Sequence, residues 1–492
     1  MEMPSFHSIQ FTDHTPLQTQ LQTHLRNWIC DGRLSPGTKL PSSRGLSNEL
    51  GISRNTITLV IEQLRSEGFL DTFPGKGVYV AESLPVNIKG IKHIDWQYKV
   101  AKPELSSFAK ELAAKPLSEH GLTLPFTPGI PDLDAFPTKI WNTLQRRHHN
   151  RTCLMGYNGN QGYHPLREAL AEYLRLSRGV RCQAKQIIIT HGAQQAISLC
   201  AQILINKGDE VLVENPGYMG AKKAFNARGA KLTPSLLADN GLDIDSLVST
   251  SNETGPYKLM YCTPTHQYPL GGILPASDRL NLLDWAAQNN TWIIEDDYDS
   301  EFHFHHKPVA ALQGMAENTP VIYMGSFSKT LFPALRLGYL VVPQELVDIF
   351  IKAKSFMSGE SPLLPQAVIA DFILEGHFTR HLRKMRQLYQ DKWHHLHTLL
   401  QDRLKDKVTP IAKSAGMHLA IKIPNCDDKA LAGSLKEEGF GSSPLSAYYL
   451  DNPIYLDKPI MTGLVLGFAN TNAQQREKLV STLDKLITNT IC

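Results

Sequence analysis

The feature that most restricts this chain is a rhythm: beyond Leu122, short β-branched runs recur between stretches of helical periodicity. The runs are Ile187 to Thr190, Val211 to Glu214, Leu259 to Cys262, Trp292 to Asp296, Val321 to Tyr323 and Leu340 to Val342. Parallel neighbours need a crossover long enough to hold a helix, so this alternation predicts an α/β domain with a mainly parallel sheet. Ligands of such sheets gather outside the C-terminal ends of the strands. The residues that follow each run are therefore the ones to read for chemistry.

After Thr190 comes His191-Gly192-Ala193-Gln194-Gln195-Ala196, a small-residue turn opening a helix. Its free N–H groups suit a phosphate, although such turns also serve plain packing. After Glu214, Asn215-Pro216-Gly217-Tyr218 brings in an aromatic ring, either a platform for a planar ligand or a half-buried loop tyrosine. The run ending at Asp296 places Asp296 and Tyr298 on one side and Asp297 on the other. A carboxylate there suits a protonated ring nitrogen; the alternative is a pair of helix-capping acids. Further on, SFSKTLFPALRLGYLVV sets Lys329 beside Ser326, Ser328 and Arg336, a setting for a Schiff base next to a phosphate.

The first 83 residues follow another pattern. Leu17, Leu21, Leu25 and Trp28 recur at helical spacing after Thr15-Pro16 and stop at Asp31-Gly32. Ser42 and Ser43 offer caps to a short helix ended by Gly51. Ser53 caps a third helix, with Ile57, Val60, Ile61 and Leu64 on one face and Arg54, Asn55 and Thr56 in its exposed first turn. Two short helices broken at Gly51 predict a helix-turn-helix, whose second helix reads the major groove of DNA by its N-terminal residues. Phe69 to Tyr79 alternates around Pro74-Gly75-Lys76-Gly77 and predicts a hairpin, the wing. A helical dimerisation bundle is the competing reading, since this segment holds seven Lys or Arg against eight Asp or Glu. Arg33, Lys39, Arg44 and Arg54 nevertheless cluster with only Glu49 among them.

Between these parts, residues 84–121 carry Pro85, Gly90, Pro103 and Pro116 without a sustained period and read as a connector. The net charge of +3 decides nothing about partners. Seven scattered cysteines without a CxxC pair read as reduced thiols of a cytoplasmic protein. No apolar run reaches the roughly 18 residues of a membrane span, so no membrane association is expected. Neither His303, His305 and His306 nor His394, His395 and His397 show the ligand pattern of a defined metal centre, and no metal is expected.

Residues 1–83 resemble the winged helix-turn-helix of the GntR family through LSPGTKLPSSRGLSNELGISRNTITLVIEQLRSEGFL and PGKGVYV. That resemblance implies double-stranded promoter DNA as partner and sets Arg44, Arg54, Thr56, Lys76 and Gly77 at it. From 122 to 492 the chain resembles the fold-type-I, class I/II aminotransferases. More closely it resembles the MocR/GabR-type regulators that fuse such a domain to a GntR head, with a PdxR-like subgroup open. The carriers are YNGNQGYHPLREAL, SRGVRC, ENPGY, TPTHQYPLGG, IIEDDYDSEF and GSFSK. The resemblance implies pyridoxal 5′-phosphate as cofactor, Lys329 as its Schiff-base lysine, Asp296 as partner of the pyridine nitrogen, Tyr298 as donor to the ring oxygen and Tyr218 as the stacking ring. It also implies a phosphate cup of Gly192, Ala193, Gln194, Ser326, Ser328 and Arg336, a homodimer, and Tyr157 reaching the phosphate of the neighbouring subunit. Gln267, with His266, falls where related enzymes carry an asparagine beside the ring.

One departure bears on function. Val465 stands where aminotransferases of this fold anchor the substrate carboxylate with arginine, and no arginine lies between Arg403 and Arg476. A valine cannot hold a carboxylate, so slow or absent turnover is expected, with Arg383 or Arg386 as substitute anchors. The expected function is a regulator that senses pyridoxal phosphate or an amino compound through Lys329 and controls genes of vitamin B6 or amino-compound metabolism. A working aminotransferase with an accessory head is the alternative.

Overall fold

The computed structural model describes residues 4–12, 15–83, 104–113, 123–250, 256–304, 309–411, 415–450 and 460–490. The chain divides into two compact units, Met1–Leu112 and Ala113–Cys492. Of the connector expected at 84–121, a helix at Ser107–Ala113 is described. Pro85, Gly90, Pro103 and Pro116 lie outside the described residues, as do His305, His306 and Cys492.

In the first unit, helix α1 (Leu17–Cys30) buries Leu21, Leu25, Trp28 and Ile29. Helix α2 (Ser43–Leu50) begins where the Ser42 hydroxyl accepts the Gly45 N–H and ends at Gly51, whose φ of 68° is left-handed. A glycine is needed there because a side chain in that conformation meets the backbone. Helix α3 (Arg54–Ser66) starts on Ser53, whose hydroxyl accepts the Thr56 N–H at 3.2 Å. Ile57, Val60, Ile61 and Leu64 then face the core shared with α1 and α2. Strands β1 (Leu70–Phe73) and β2 (Gly77–Val80) pair antiparallel from Leu70 opposite Val80 to Phe73 opposite Gly77. The unit is a winged helix-turn-helix.

The second unit is built on a seven-stranded sheet of β3 (Ile187–Thr190), β4 (Glu210–Glu214), β5 (Lys231–Ser235), β8 (Leu259–Cys262), β9 (Trp292–Asp296), β10 (Val321–Ser326) and β11 (Gly338–Val341). A two-stranded ribbon, β6 (Leu237–Ala238) with β7 (Gly241–Leu242), follows β5. The strand order is β3-β11-β10-β9-β8-β4-β5. All neighbours are parallel except β11, which runs antiparallel to both β10 and β3. The repeated β-branched runs mark six of these strands; β5 escapes them because Lys231, Thr233 and Pro234 interrupt any apolar run. Helices cover both faces, which is why the strands read as continuous apolar runs. Ile188, Ile294, Ile322 and Leu340 enter one core with Ile197 and Cys200, while Ile187, Ile189, Tyr323 and Tyr339 enter the other.

Toward the C-terminus a four-stranded antiparallel sheet is formed by β12 (Thr409–Pro410), β13 (His418–Lys422), β14 (Ser443–Pro444) and β15 (Gly463–Gly467), in the order β12-β13-β15-β14. Leu419, Ile421, Leu464 and Leu466 bury its inner face against the helices His377–Leu404 and Ala473–Thr490. Among the described residues no helix is long and apolar enough to cross a membrane.

Candidate functional site

The C-terminal edge of the large sheet collects chemistry from five loops. Thr190 is followed by Gly192, with φ 82°, and the helix Ala193–Leu204. Tyr218 follows β4, Thr263 and Tyr268 follow β8, Asp296 closes β9, and Lys329 sits three residues beyond the end of β10. The reversed strand β11 completes the set. Its first residue, Gly338, pairs with Thr190 and with Ser326, so Arg336, two positions earlier, reaches the same edge as the ends of the parallel strands.

Of these, Tyr218, Thr263, Tyr268, Asp296, Lys329 and Arg336 line one cavity of about 200 Å³, together with Pro128, Gly129, Ile130, Ala193, Gln194, Met417 and His418; Gly192 is not itself among its walls. Lys329 Nζ donates to the Gly129 carbonyl at 2.8 Å. Burial lowers the pKa of its ammonium, against Asp299 and Asp296, which raise it. The Asp296 carboxyl, pushed up to about 7 by burial despite the hydrogen bond it accepts from Tyr261, is a buried acid waiting for a cation. Asp297 points away and accepts from Arg178 Nε at 2.7 Å and the Tyr323 hydroxyl at 2.6 Å. Tyr298 lies 3.0 Å from His266 Nδ1, which is 3.1 Å from both Asp299 oxygens.

The same cavity is lined by a set of donors suited to a phosphate. The Ser326 hydroxyl accepts the Ser328 N–H at 3.1 Å, and Arg336, at φ 50°, donates to the His191 carbonyl at 3.4 Å. Gly192 caps the helix that begins at Ala193 and Gln194, which line this corner, and a helix N-terminus carries N–H groups free for an anion. A Cβ on Gly192 would lie 3.9 Å from the Arg336 guanidinium.

Three expectations need correction. Gln267 does not line the cavity: its carboxamide donates to Glu214, to the Pro216 carbonyl at 3.0 Å and to the Tyr268 carbonyl at 2.8 Å. A buried acid outcompetes the cavity for that donor, and Gln267 thereby ties the Tyr218 loop to the Tyr268 loop. Val465 is fully buried on β15, opposite Ala420 and Ser443, and is not a wall of the cavity. Neither substitute anchor reaches it: Arg383 is exposed, and Arg386 is held by the Glu301 carbonyl at 2.9 Å. Tyr157, expected to serve a neighbouring subunit, is 98% exposed and lines no part of its own chain's cavity.

Reading the sequence missed Gly129, Tyr261, Thr263, Tyr268, Asp299 and His418 as wall residues. Gly129 carried a local signal, the Pro128-Gly129 turn, but nothing nearby tied it to Lys329. The described residues hold one cluster of metal-ligand type, His266, Asp299 and His418, outside the two histidine groups considered above. In those groups, His303 Nδ1 meets the Ser300 carbonyl and His395 pairs with Arg476.

In the head, Arg44, Arg54, Asn55 and Lys76 are exposed, and Thr56 is half-buried against Ser53. Gly77 takes φ 112° in the wing, with the Lys39 side chain against it.

A winged helix-turn-helix joined to a fold-type-I aminotransferase-like domain defines the class. Residues 126–482 match the family "Aminotransferase class I and II", and residues 17–80 match "Bacterial regulatory proteins, gntR family". Over 95% of this chain and 93% of the relative, it is 37% identical to the "Probable rhizopine catabolism regulatory protein MocR" of Rhizobium meliloti. It is 28% identical to the "HTH-type pyridoxine biosynthesis transcriptional regulator PdxR" of Corynebacterium glutamicum, over 93% of this chain and 92% of that protein. A solved structure of LysN, the α-aminoadipate aminotransferase of Thermus thermophilus complexed with N-(5′-phosphopyridoxyl)-L-leucine, superposes with a TM-score of 0.69 at 25% identity. It covers 78% of this chain and 95% of that one.

The chain belongs to the class I and II aminotransferase family, in its MocR-type branch with a gntR-family head. The cofactor of such a domain is pyridoxal phosphate, and the residues present fit it. Three functions are wanted, a captive amine, an acid for the ring nitrogen and donors for a phosphate, and Lys329, Asp296 and the Ser326–Arg336 corner line a single cavity.

Proposed function

We propose that this chain is a cytoplasmic transcription regulator, with a DNA-binding head at 1–83, a connector at 84–121 and a cofactor-binding effector domain at 122–492. Arg44, Arg54, Asn55, Thr56, Lys76 and Gly77 meet promoter DNA. Lys329 holds pyridoxal phosphate, Asp296 takes the ring nitrogen, Tyr298 the ring oxygen, and Tyr218 stacks on the ring. Gly192, Ala193, Gln194, Ser326, Ser328 and Arg336 take the phosphate, joined by Tyr157 from a second subunit of a homodimer. When bound, the cofactor supplies an electrophilic carbon that primary amines attack.

The observation that carries this reading is the placement of Lys329 on the Gly129 carbonyl, in the cavity that Asp296 also lines. A burial-lowered pKa favours the neutral amine such chemistry needs. Asp296, buried in the wall of the same cavity, would gain a counter-charge from a protonated ring nitrogen. Sustained transamination is not the use we propose. Among the described residues lining the cavity, Lys329 and Arg336 are the only lysine and arginine, which leaves no anchor for a substrate carboxylate. The regulated signal is the cofactor itself or an amino compound, and the targets are genes of vitamin B6 or amino-compound metabolism.

The test is borohydride trapping of the cofactor-treated chain followed by peptide mass analysis. The cofactor's mass on the Lys329 peptide is expected. Labelling spread over surface lysines, with Lys329 unmodified, would remove the proposal.

A further inference from the structure

We infer that the effector taken by this cavity is a hydroxylated primary amine without a carboxylate, of the short amino-alcohol class. The inference rests on the reading that Lys329 and the Ser326–Arg336 corner hold the cofactor. With those groups committed, the wall left to a ligand includes Tyr268, Asp299, Met417 and His418, with Ile130 and Thr263.

Among the described residues this wall offers acceptors and no lysine or arginine. His418 is buried, and its Nε2 donates to the Pro269 carbonyl at 3.1 Å. Since a carbonyl only accepts, the proton sits on Nε2. Burial pushes this imidazole down to about 3, so the ring is neutral at physiological pH. Nδ1 is then a bare acceptor with no hydrogen-bond partner among the described residues. Asp299 is a second acceptor, buried and facing His266. Gly416, at φ 72°, lies so close to His266 and Asp299 that any Cβ there would overlap both, so this pair is clamped in place. The Tyr268 hydroxyl already shares a hydrogen bond with the Tyr448 hydroxyl at 3.1 Å.

A ligand carboxylate brings only acceptors and a negative charge to this wall. It would lose its water, meet no lysine or arginine among the described residues of the wall and sit beside the Asp299 carboxylate, each of which is unfavourable. A hydroxyl brings a donor, which either His418 Nδ1 or Asp299 accepts, and it brings no charge. Complementary donors and acceptors discriminate strongly here because the wrong partner leaves buried polar atoms unpaired.

The experiment uses the full chain loaded with pyridoxal phosphate and matched pairs of amines: ethanolamine against glycine, propanolamine against β-alanine, and aminobutanol against γ-aminobutyrate. Binding is read from the change in the visible band of the lysine-bound cofactor and from calorimetry. In each pair the alcohol is expected to half-saturate at a concentration at least about tenfold lower, the ratio that 1.4 kcal/mol gives. Asp299→Asn is expected to narrow that ratio. Equal responses within the pairs, or a preference for the carboxylates, as an arginine delivered by a second subunit would produce, overturn the inference while leaving the cofactor reading intact. Absence of the band before any amine is added removes the cofactor reading and this inference with it.

Discussion

Lys329 Nζ donates to the carbonyl oxygen of Gly129 at 2.8 Å, across a separation of 200 residues. The contact depends on the glycine, because a Cβ added there would overlap the lysine nitrogen. The loop carries φ 76° at Gly129, a conformation that costs other residues about 1–2 kcal/mol. Gly129→Ala is therefore expected to displace Lys329 and weaken cofactor capture by about tenfold or more, about 1.4 kcal/mol. Titration of the visible band against added cofactor checks this; an unchanged midpoint would contradict the close approach.

Burial lowers the pKa of Lys329 although Asp299 and Asp296 oppose it. The neutral amine is the attacking form, so the rate of cofactor capture is expected to rise with pH and to level off below the ordinary lysine value. Stopped-flow measurement of band formation gives the midpoint. A midpoint at or above that of a free lysine would contradict the burial seen here.

Asp296 gives a stability prediction with a definite sign. Its pKa is raised to about 7 in the fold, so between the unfolded value, about 3.9, and 7 the native state binds more protons than the unfolded state. Its contribution to the stability of the cofactor-free protein therefore falls as pH rises through that window. Glu214, Glu295 and Glu301, each also pushed up to about 7 by burial, add to the same slope. Asp296→Asn is expected to reduce the loss of Tm between pH 5 and pH 7.5 by a few degrees, and to abolish the extra stability that cofactor confers. A slope identical to that of the native chain would contradict the assignment.

In the head, Arg54 projects from the first turn of α3, exposed and without a carboxylate partner among the described residues. A bidentate contact to a guanine edge contributes about 1–3 kcal/mol of discrimination. Arg54→Ala is expected to weaken binding to the DNA upstream of its own gene by about five- to one-hundred-fold while altering binding to random DNA much less. Equal losses on both would show that the residue touches phosphate alone.

Legibility followed the range of the signal. Ser53, Gly51 and the α3 periodicity are local, and the head could be read residue by residue. The β-branched runs are local as well, so six strands of the large sheet were visible, and so was the opposite facing of Asp296 and Asp297. The walls of the cavity were harder to see. Gly129 and His418 reach Lys329 only through the folding of distant segments, and neither lies in a run with a period. Gln267 was misread because its position beside the ring site says nothing about where its donor goes, and Glu214 takes it. Val465 is buried in a sheet whose position no sequence period reveals. The departure it marks, an arginine missing from the expected place, agrees with a cavity wall without a carboxylate anchor, but the wall itself is made by β13 and not by β15.

The central claim is that cofactor chemistry at Lys329 sets the affinity of the head for DNA. Such control requires the two states of the large domain to bind DNA differently. It is tested most directly by fluorescence anisotropy of the full chain on DNA from upstream of its own gene, at fixed salt, with and without pyridoxal phosphate. Loading is expected to change Kd at least about fivefold for the native chain, the lower end of ordinary coupling free energies, and to leave Lys329→Ala unaffected. Equal affinities of the loaded and cofactor-free native chain would contradict it.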